Sequence, residues 1–410
     1  MNAGTKGATA HRAQPTSTVS SSDERPEATE PESVLIVADH PNPSKIERHY
    51  GPLADVASET TMVCLTPNES VDSIAYRTVP TLGWRPLGIL LLFVAALVEG
   101  VRNEYDAIVS ISLIPYGCYA LLLRPFVGAR AHLGIIGADL DVHAVAWYGP
   151  LVRVAFRRFD SLSVPGTVHR RQLREMGVDG DRIGILSNAI DTERYAPPER
   201  SVESRYDFLW IGRFSEEKDP LLFVAALAVL ADRGLEFRAA MLGSGDERDA
   251  VERALASSGL ADCVDLPGWV DDPREYYYES DAFVLTSSRD ALPLTLLEAM
   301  ATGSACVVSR VGSVPDVARH RETALVVEGR TPAAFADALE ELVTDDRLRE
   351  RLAGNATAVG DEYSYAAARD DWRRMLETLR GGADSHRNDT GRRQRDVETA
   401  SSDGRANRGD

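Results

Sequence analysis

Two series of short apolar runs set the strongest limit on what this chain can fold into. In the first, SVLIVAD (33–39), TMVCL (61–65), AIVSIS (107–112), AHLGIIG (131–137) and SLSVP (161–165) are separated by helical patterns or loops. In the second, DFLWIGRF (207–214), FRAAMLGSG (237–245), CVDLPG (263–268), AFVLTSS (282–288) and ACVVSR (305–310) repeat the rhythm. Continuous apolar runs fit strands buried on both faces, and their alternation with helices predicts a parallel sheet covered on both sides. Because the series restarts, the reading is α/β with two doubly wound domains facing a central cleft. NAIDTERYAPPERSVES (188–204), with paired prolines and many charges, fits the linker between them. Ligands of such sheets sit at the carboxyl ends of the strands.

The expected boundaries are a disordered tail over 1–32, a first domain over 33–198, a second over 199–360 and another disordered tail over 382–410. Both tails lack the apolar content needed for a core. Asp and Glu outnumber Lys and Arg 63 to 45, a net charge of −18, which argues against a nucleic-acid partner. Lysine occurs only at Lys6, Lys45 and Lys218. An acidic, lysine-poor surface suits a salty, halophilic cytoplasm, where its self-repulsion is screened. Cys64, Cys118, Cys263 and Cys306 have no paired spacing, so core packing is expected and neither a disulfide framework nor a zinc site. No apolar signal core opens the chain, which points to a cytoplasmic setting. The run ILLLFVAALV (89–98) is too short to span a bilayer, which needs roughly 20 residues. It is expected as a buried helix, with a membrane-resting face as the alternative.

Three loops after predicted strands carry the candidate chemistry. In GRFSEEKDP (212–220), Arg213 can grip a phosphate as a two-pronged fork and Lys218 adds a compact charge. The bland alternative pairs Lys218 with Glu216 or Glu217. In GSGDER (243–248), Gly243 and Gly245 permit close backbone approach; a tight turn explains them equally. In SSRDALPLTLLEAMATGSACVVS (287–309), Asp290 lies in the loop and Pro293 opens a helix that Gly303 ends. Asp290 then sits at the positive end of the helix dipole. Glu298 projects from another side than Leu296, Leu297 and Met300. Taken alone, the two acids fit a helix start and a solvated carboxylate.

Together and in order, IGRFSEEKD, LGSGDE and DALPLTLLEAMATG resemble the donor-binding half of family 4 glycosyltransferases, retaining enzymes of the GT-B architecture with two Rossmann-like domains. RIGILSNAIDTERYAP (182–197) is similar to the segment that precedes that half. The likeness covers about residues 160–330, and the first domain only in strand order. It implies an enzyme that moves a sugar from a nucleotide-diphosphate sugar to an acceptor. Arg213 and Lys218 would hold the diphosphate, Glu298 the ribose hydroxyls and Asp290 the transferred sugar. Gly212, Gly243, Leu294 and Val270, the last within GWVDD (268–272), complete the implied donor site. The first domain would face the acceptor, a helix over 361–381 would pack back on it, and neither metal nor other cofactor is expected.

The chain departs from the family pattern at several places. Asp290 replaces the usual Glu, Ala291 the usual Gly, and DHPNPSKIE (39–47) a Gly-Gly loop, leaving Lys45 as a substitute phosphate contact. Ile136 stands where a His often faces the sugar; His132, four residues earlier, reads first as structural, and it and Asp139 are the acceptor-side candidates. DLD (139–141) resembles the metal-binding Asp-x-Asp of another glycosyltransferase architecture, which is not expected here. Two alternatives stay open, a nucleotide-sugar epimerase and an inactive nucleotide-sugar-binding scaffold. The acceptor, a glycan or lipid-linked molecule, is not legible. The run 89–98 with RPF (124–126) suits peripheral contact at the inner membrane face.

Overall fold

The computed structural model describes residues 32–66, 69–81, 83–200 and 202–380; the bulk of both tails read as disordered lies outside them. Seven parallel strands form the first sheet: β1 (Ser33–Val37), β2 (Glu59–Cys64), β3 (Ala75–Thr78), β4 (Ala107–Ile111), β5 (Arg130–Gly134), β6 (Ser161–Val164) and β7 (Ile183–Ile185). Their spatial order is β3-β2-β1-β4-β5-β6-β7. The second sheet has six, β8 (Tyr206–Ile211), β9 (Ala239–Leu242), β10 (Val264–Gly268), β11 (Ser280–Leu285), β12 (Ala305–Ser309) and β13 (Leu325–Val327), in the order β10-β9-β8-β11-β12-β13. Each order reverses once, between β1 and β4 and between β8 and β11. Those switch points open crevices at the carboxyl ends of the strands. This is the GT-B architecture of two Rossmann-like lobes.

The sequence reading locates ten of these strands and omits β3, β7 and β13. The omitted three are sheet edges of three or four residues, too short for a pattern. On one face of the first sheet lie α1 (Pro43–Ala54) and the helix over 365–380, whose Trp372, Met375 and Leu379 share a core with Val34, Ile36 and Tyr50. The other face carries α2 (Arg85–Arg102), α3 (Cys118–Val127), α4 (Gly149–Phe156) and α5 (Thr167–Glu175). The run 89–98 is only half buried. Leu92 and Ala96 of α2 reach the core while Leu90, Val94 and Val98 face outward.

In the second lobe, α6 (Pro220–Asp232) and α7 (Arg248–Ser257) cover one face. The single-turn α8 (Arg274–Tyr278), α9 (Leu294–Ala301) and the single-turn α10 (Val314–Val317) lie on the other. α6 starts where its residues dictate. The Asp219 carboxylate accepts from the Leu222 amide at 3.1 Å, and Pro220 takes the first position, where no amide hydrogen is needed. The chain crosses between lobes near Ile190, whose amide donates to the Tyr363 carbonyl at 2.9 Å, so the two crossings run side by side.

Candidate functional site

The site grows from three loops at the switch point of the second sheet. Glycine lets the first two touch. A Cβ on Gly243 (φ +128°) would collide with the Gly212 carbonyl, and one on Gly245 (φ +153°) with the Phe214 carbonyl. The Phe214 amide donates to Ser244 O at 2.9 Å, closing the loops backbone to backbone. Their glycines therefore act by close approach.

Thr286, at the end of β11, ties the first loop to the third. Its hydroxyl lies 3.0 Å from the Lys218 carbonyl and 2.9 Å from that of Asp219, and it accepts from the Trp210 indole at 2.9 Å. With its backbone so anchored, Lys218 reaches Asp290, and the ammonium Nζ contacts Oδ2 in an ion pair. Ser287 Oγ lies 3.4 Å from the same oxygen. The pairing differs from the bland alternative of Glu216 or Glu217. Arg213 stands apart, 72% exposed at its side chain and 3.7 Å from Glu217. It is an exposed fork at the rim, paired with Glu217.

Glu298 occupies the outer side of α9, half-buried. The Tyr277 hydroxyl donates to its Oε2 at 3.1 Å. Burial pushes the carboxyl above the usual range, while the Tyr277 bond and the charges of Arg48 and Arg194 pull it back down. Arg48 belongs to α1, so a cation of the first lobe acts on an acid of the second. Leu294 and Val270 are half-buried against the core beneath α9. Beside Val270, Trp269 is exposed and Asp272 is held well below the carboxylate range by Arg274.

The first lobe meets this loop cluster directly. Gly137, at φ +125°, lies where a Cβ would be 3.2 Å from that of Ala291. Ser313 donates its amide to the Ala291 carbonyl at 2.7 Å, and its hydroxyl meets His169 Nδ1 of α5 at 2.9 Å. Asp316 accepts from the Thr167 amide at 2.6 Å and hydroxyl at 2.5 Å, capping α5 from across the lobes. Gly166 permits this clasp, since any Cβ there would overlap Asp316 and Ser313. The sequence reading missed the clasp because nothing local marks residues 150 apart as partners.

Both acceptor-side candidates are buried in the first lobe. His132 is fully buried in β5 with both ring nitrogens taken, by Ser161 and Ser163 at 3.1 Å each. Its ring faces Trp372 of the helix over 365–380, and burial holds it neutral, its pKa pushed down to about 3. Asp139 is buried as well. Its Oδ1 accepts from the Leu113 amide at 2.8 Å, bracing the loop after β4. Lys45 is exposed on α1. Among the described residues no group of three or more His, Cys, Asp or Glu side chains could hold a metal ion.

Comparison with known proteins bears on the same cluster. Residues 191–359 match the family model of glycosyl transferases group 1. The chain is 31% identical over 229 residues to the lipopolysaccharide core biosynthesis glycosyltransferase LpsE of Rhizobium meliloti, covering 54% of this chain and 65% of that one. It is 29% identical over 241 residues to a D-inositol 3-phosphate glycosyltransferase of Thermomonospora curvata, 52% of this chain and 55% of that one. The chain thus spans about half to two thirds of the length of these relatives. Among solved structures, Anabaena HepE in complex with UDP superposes with a TM-score of 0.72 at 14% identity, covering 84% of this chain and 100% of that one. Sucrose-phosphate synthase of Thermosynechococcus elongatus gives 0.72 at 17% identity, covering 85% and 99%.

Proposed function

We propose, because residues 191–359 match the family model of glycosyl transferases group 1, that the chain is a retaining glycosyltransferase using a nucleotide-diphosphate sugar. The observation that carries this reading is the Lys218–Asp290 ion pair, set beside Ser287 at the β8/β11 switch point. Diphosphate oxygens entering there replace the carboxylate as partners of Lys218. Asp290 is then released to the hydroxyls of the transferred sugar. Arg213, exposed at the rim beside Glu217, closes on the same diphosphate.

Leaving of the diphosphate concentrates negative charge while the sugar turns oxocarbenium-like. Fixed cations at the first and a carboxylate near the second stabilise both developing charges, usually the largest catalytic contribution. Glu298 serves the ribose as hydrogen-bond acceptor, its Oε2 already oriented by Tyr277. Gly212 and Gly243 let the backbone approach the phosphates, and Val270 and Leu294 line the nucleoside end. The chemistry is taken to need no metal or other cofactor, since Arg213 and Lys218 supply the positive charge. HepE, solved with UDP and with UDP-glucose, supports a nucleotide-sugar donor. The acceptor is a glycan or a lipid-linked molecule, and the net charge of −18 favours a salt-rich cytoplasm.

The test is incubation of the full chain with radiolabelled nucleotide sugars, with and without membrane extract. Label passing to an acceptor, with the anomeric configuration kept, supports the reading. Epimerised donor, or binding without turnover, contradicts it.

A further inference from the structure

Of the seventeen large apolar side chains exposed among the described residues, fourteen lie between Trp84 and Val154. This concentration follows from how three helices are built. α2, α3 and α4 each bury one side in the first sheet's core, through Leu92 and Ala96, Ala120 and Leu123, and Val152 and Phe156. Their opposite sides are apolar too. α2 turns out Leu90, Val94 and Val98, spaced four apart on one stripe. α3 adds Leu122 and Phe126, and α4 adds Leu151 and Val154, with Leu151 71% exposed. α2 packs on α3, and Arg124 of α3 donates to the Arg158 carbonyl at the end of α4, so the stripes adjoin.

Charge says what covers this face. The chain carries 63 acids, yet α3 and α4 contain none and α2 contains only Glu99, which is tied to Arg77. Basic groups are kept instead. A hollow of about 500 Å³ opens where α3 ends, lined by Arg124, Arg130 and Arg158 beside Leu121 and Pro125; Arg124 there already pairs with Asp160 at 2.6 Å, while Arg158 is exposed. Nη1 of Arg130 is buried without a hydrogen-bond partner. At the other end of the layer the indoles of Trp84 and Trp147 are exposed, the latter 92%. Apolar area, arginines and indoles at the margins form the pattern of a surface-lying membrane contact. No helix among the described residues is long and apolar enough to cross a bilayer.

We propose that the outer face of α2, α3 and α4 docks on an anionic lipid bilayer, with the hollow of Arg124, Arg130 and Arg158 receiving lipid phosphates. A second copy of this chain fits less well, because an isologous pairing would set this arginine-bearing face, whose helices hold almost no acids, against itself, with few carboxylates to receive the arginines. The bilayer's acyl boundary takes the stripes, and its phosphates take the arginines. Because the strands are parallel and the helices run back between them, Trp84 and Trp147 lie toward the cleft edge of the sheet. Docking therefore sets the cleft rim at the membrane surface. The proposal does not depend on the donor reading and can fail without it.

The experiment is co-sedimentation of the full chain with phosphatidylcholine vesicles, with and without phosphatidylglycerol. The parent is expected to pellet with the anionic vesicles, less so at raised salt. Leu90→Glu with Phe126→Glu, and separately Arg158→Glu, are expected to lower the partition coefficient roughly tenfold or more. All three positions are exposed, and an unchanged melting temperature confirms the fold of each variant. Absence of pelleting with anionic vesicles, or equal pelleting of parent and folded variants, overturns the proposal. So does a parent dimer, seen by light scattering, that Phe126→Glu dissociates while vesicles stay unbound.

Discussion

The two lobes share one strand order but finish their strands in opposite ways. At the switch point of the second, Lys218, Asp290 and Glu298 stand half-open on loops and a helix start, each held by one or two neighbours. In the first, His132 is spent on internal packing, while Asp139 keeps its Oδ2 and His40 its Nε2 buried without a hydrogen-bond partner. His132 is locked between two serines, and Asp139 spends one oxygen on a backbone amide. A common topology thus supplies two scaffolds, and the proposed chemistry rests on the loop residues of one of them. What the first lobe offers instead is a clasp toward the cleft and an apolar outer face.

This contrast can be broken most sharply at Lys218. Lys218→Ala is expected to lower kcat/KM for sugar transfer roughly a hundred- to a thousandfold, the scale of removing one fixed donor to a developing negative charge. Arg213→Ala, from a more exposed position, should cost less. Steady-state rates with labelled donor decide, and parent-like values for both would remove the diphosphate assignment.

Next in size is Glu298. Truncation to alanine should weaken nucleotide binding about ten- to a hundredfold, since a hydrogen bond to a charged group is worth about 1.5–3 kcal/mol. The pH dependence sharpens the point. Its carboxyl sits above the usual range through burial, and the ionised form is the stronger acceptor for the ribose hydroxyls. Donor affinity should therefore fall off on the acid side at a higher pH than an ordinary Glu would give. In Glu298→Gln that limb should vanish, as calorimetry across pH would register.

The first lobe should answer to pH through stability rather than activity. The unfolded chain takes up a proton at His132 near pH 6.5, which the folded chain refuses down to about 3. Its stabilising contribution is present above 6.5 and is lost as the pH falls. The slope is about 1.4 kcal/mol per pH unit for one such proton, and His132→Gln should flatten it in denaturant titrations. An unchanged slope would mean that the ring is not held neutral.

The smallest effect belongs to the clasp. Asp316→Ala removes a cap from α5 and should cost about 1 kcal/mol. Gly166→Ala, which forces Asp316 and Ser313 away, should match or exceed it. Thermal melts that show neither loss would mean that the lobes do not meet through this contact.

How much of this the sequence disclosed follows the same divide. Central strands such as AFVLTSS and DFLWIGRF are legible because burial on both faces leaves an unbroken apolar run, whereas the edge strands β3, β7 and β13 have no such signature. Lys218 and Asp290 were legible as candidates because each stands in a loop directly after a predicted strand. Their mutual contact was not, since it depends on Thr286 anchoring the Lys218 carbonyl from another strand. His132, four residues before Ile136, reads as more structural than chemical, and its place between Ser161 and Ser163 bears that out. The half-burial of 89–98 is hidden for a further reason. An all-apolar run has no polar side to declare which face meets solvent.

The most direct test is a crystal structure of the chain with a nucleotide-diphosphate sugar, UDP-glucose being the first to try. The account predicts Lys218 Nζ and the Arg213 guanidinium on the diphosphate, a Glu298 oxygen on the ribose, and Asp290 on the sugar, freed from the ammonium it contacts here. A donor bound elsewhere, or one that leaves the Lys218–Asp290 pair closed, would contradict it.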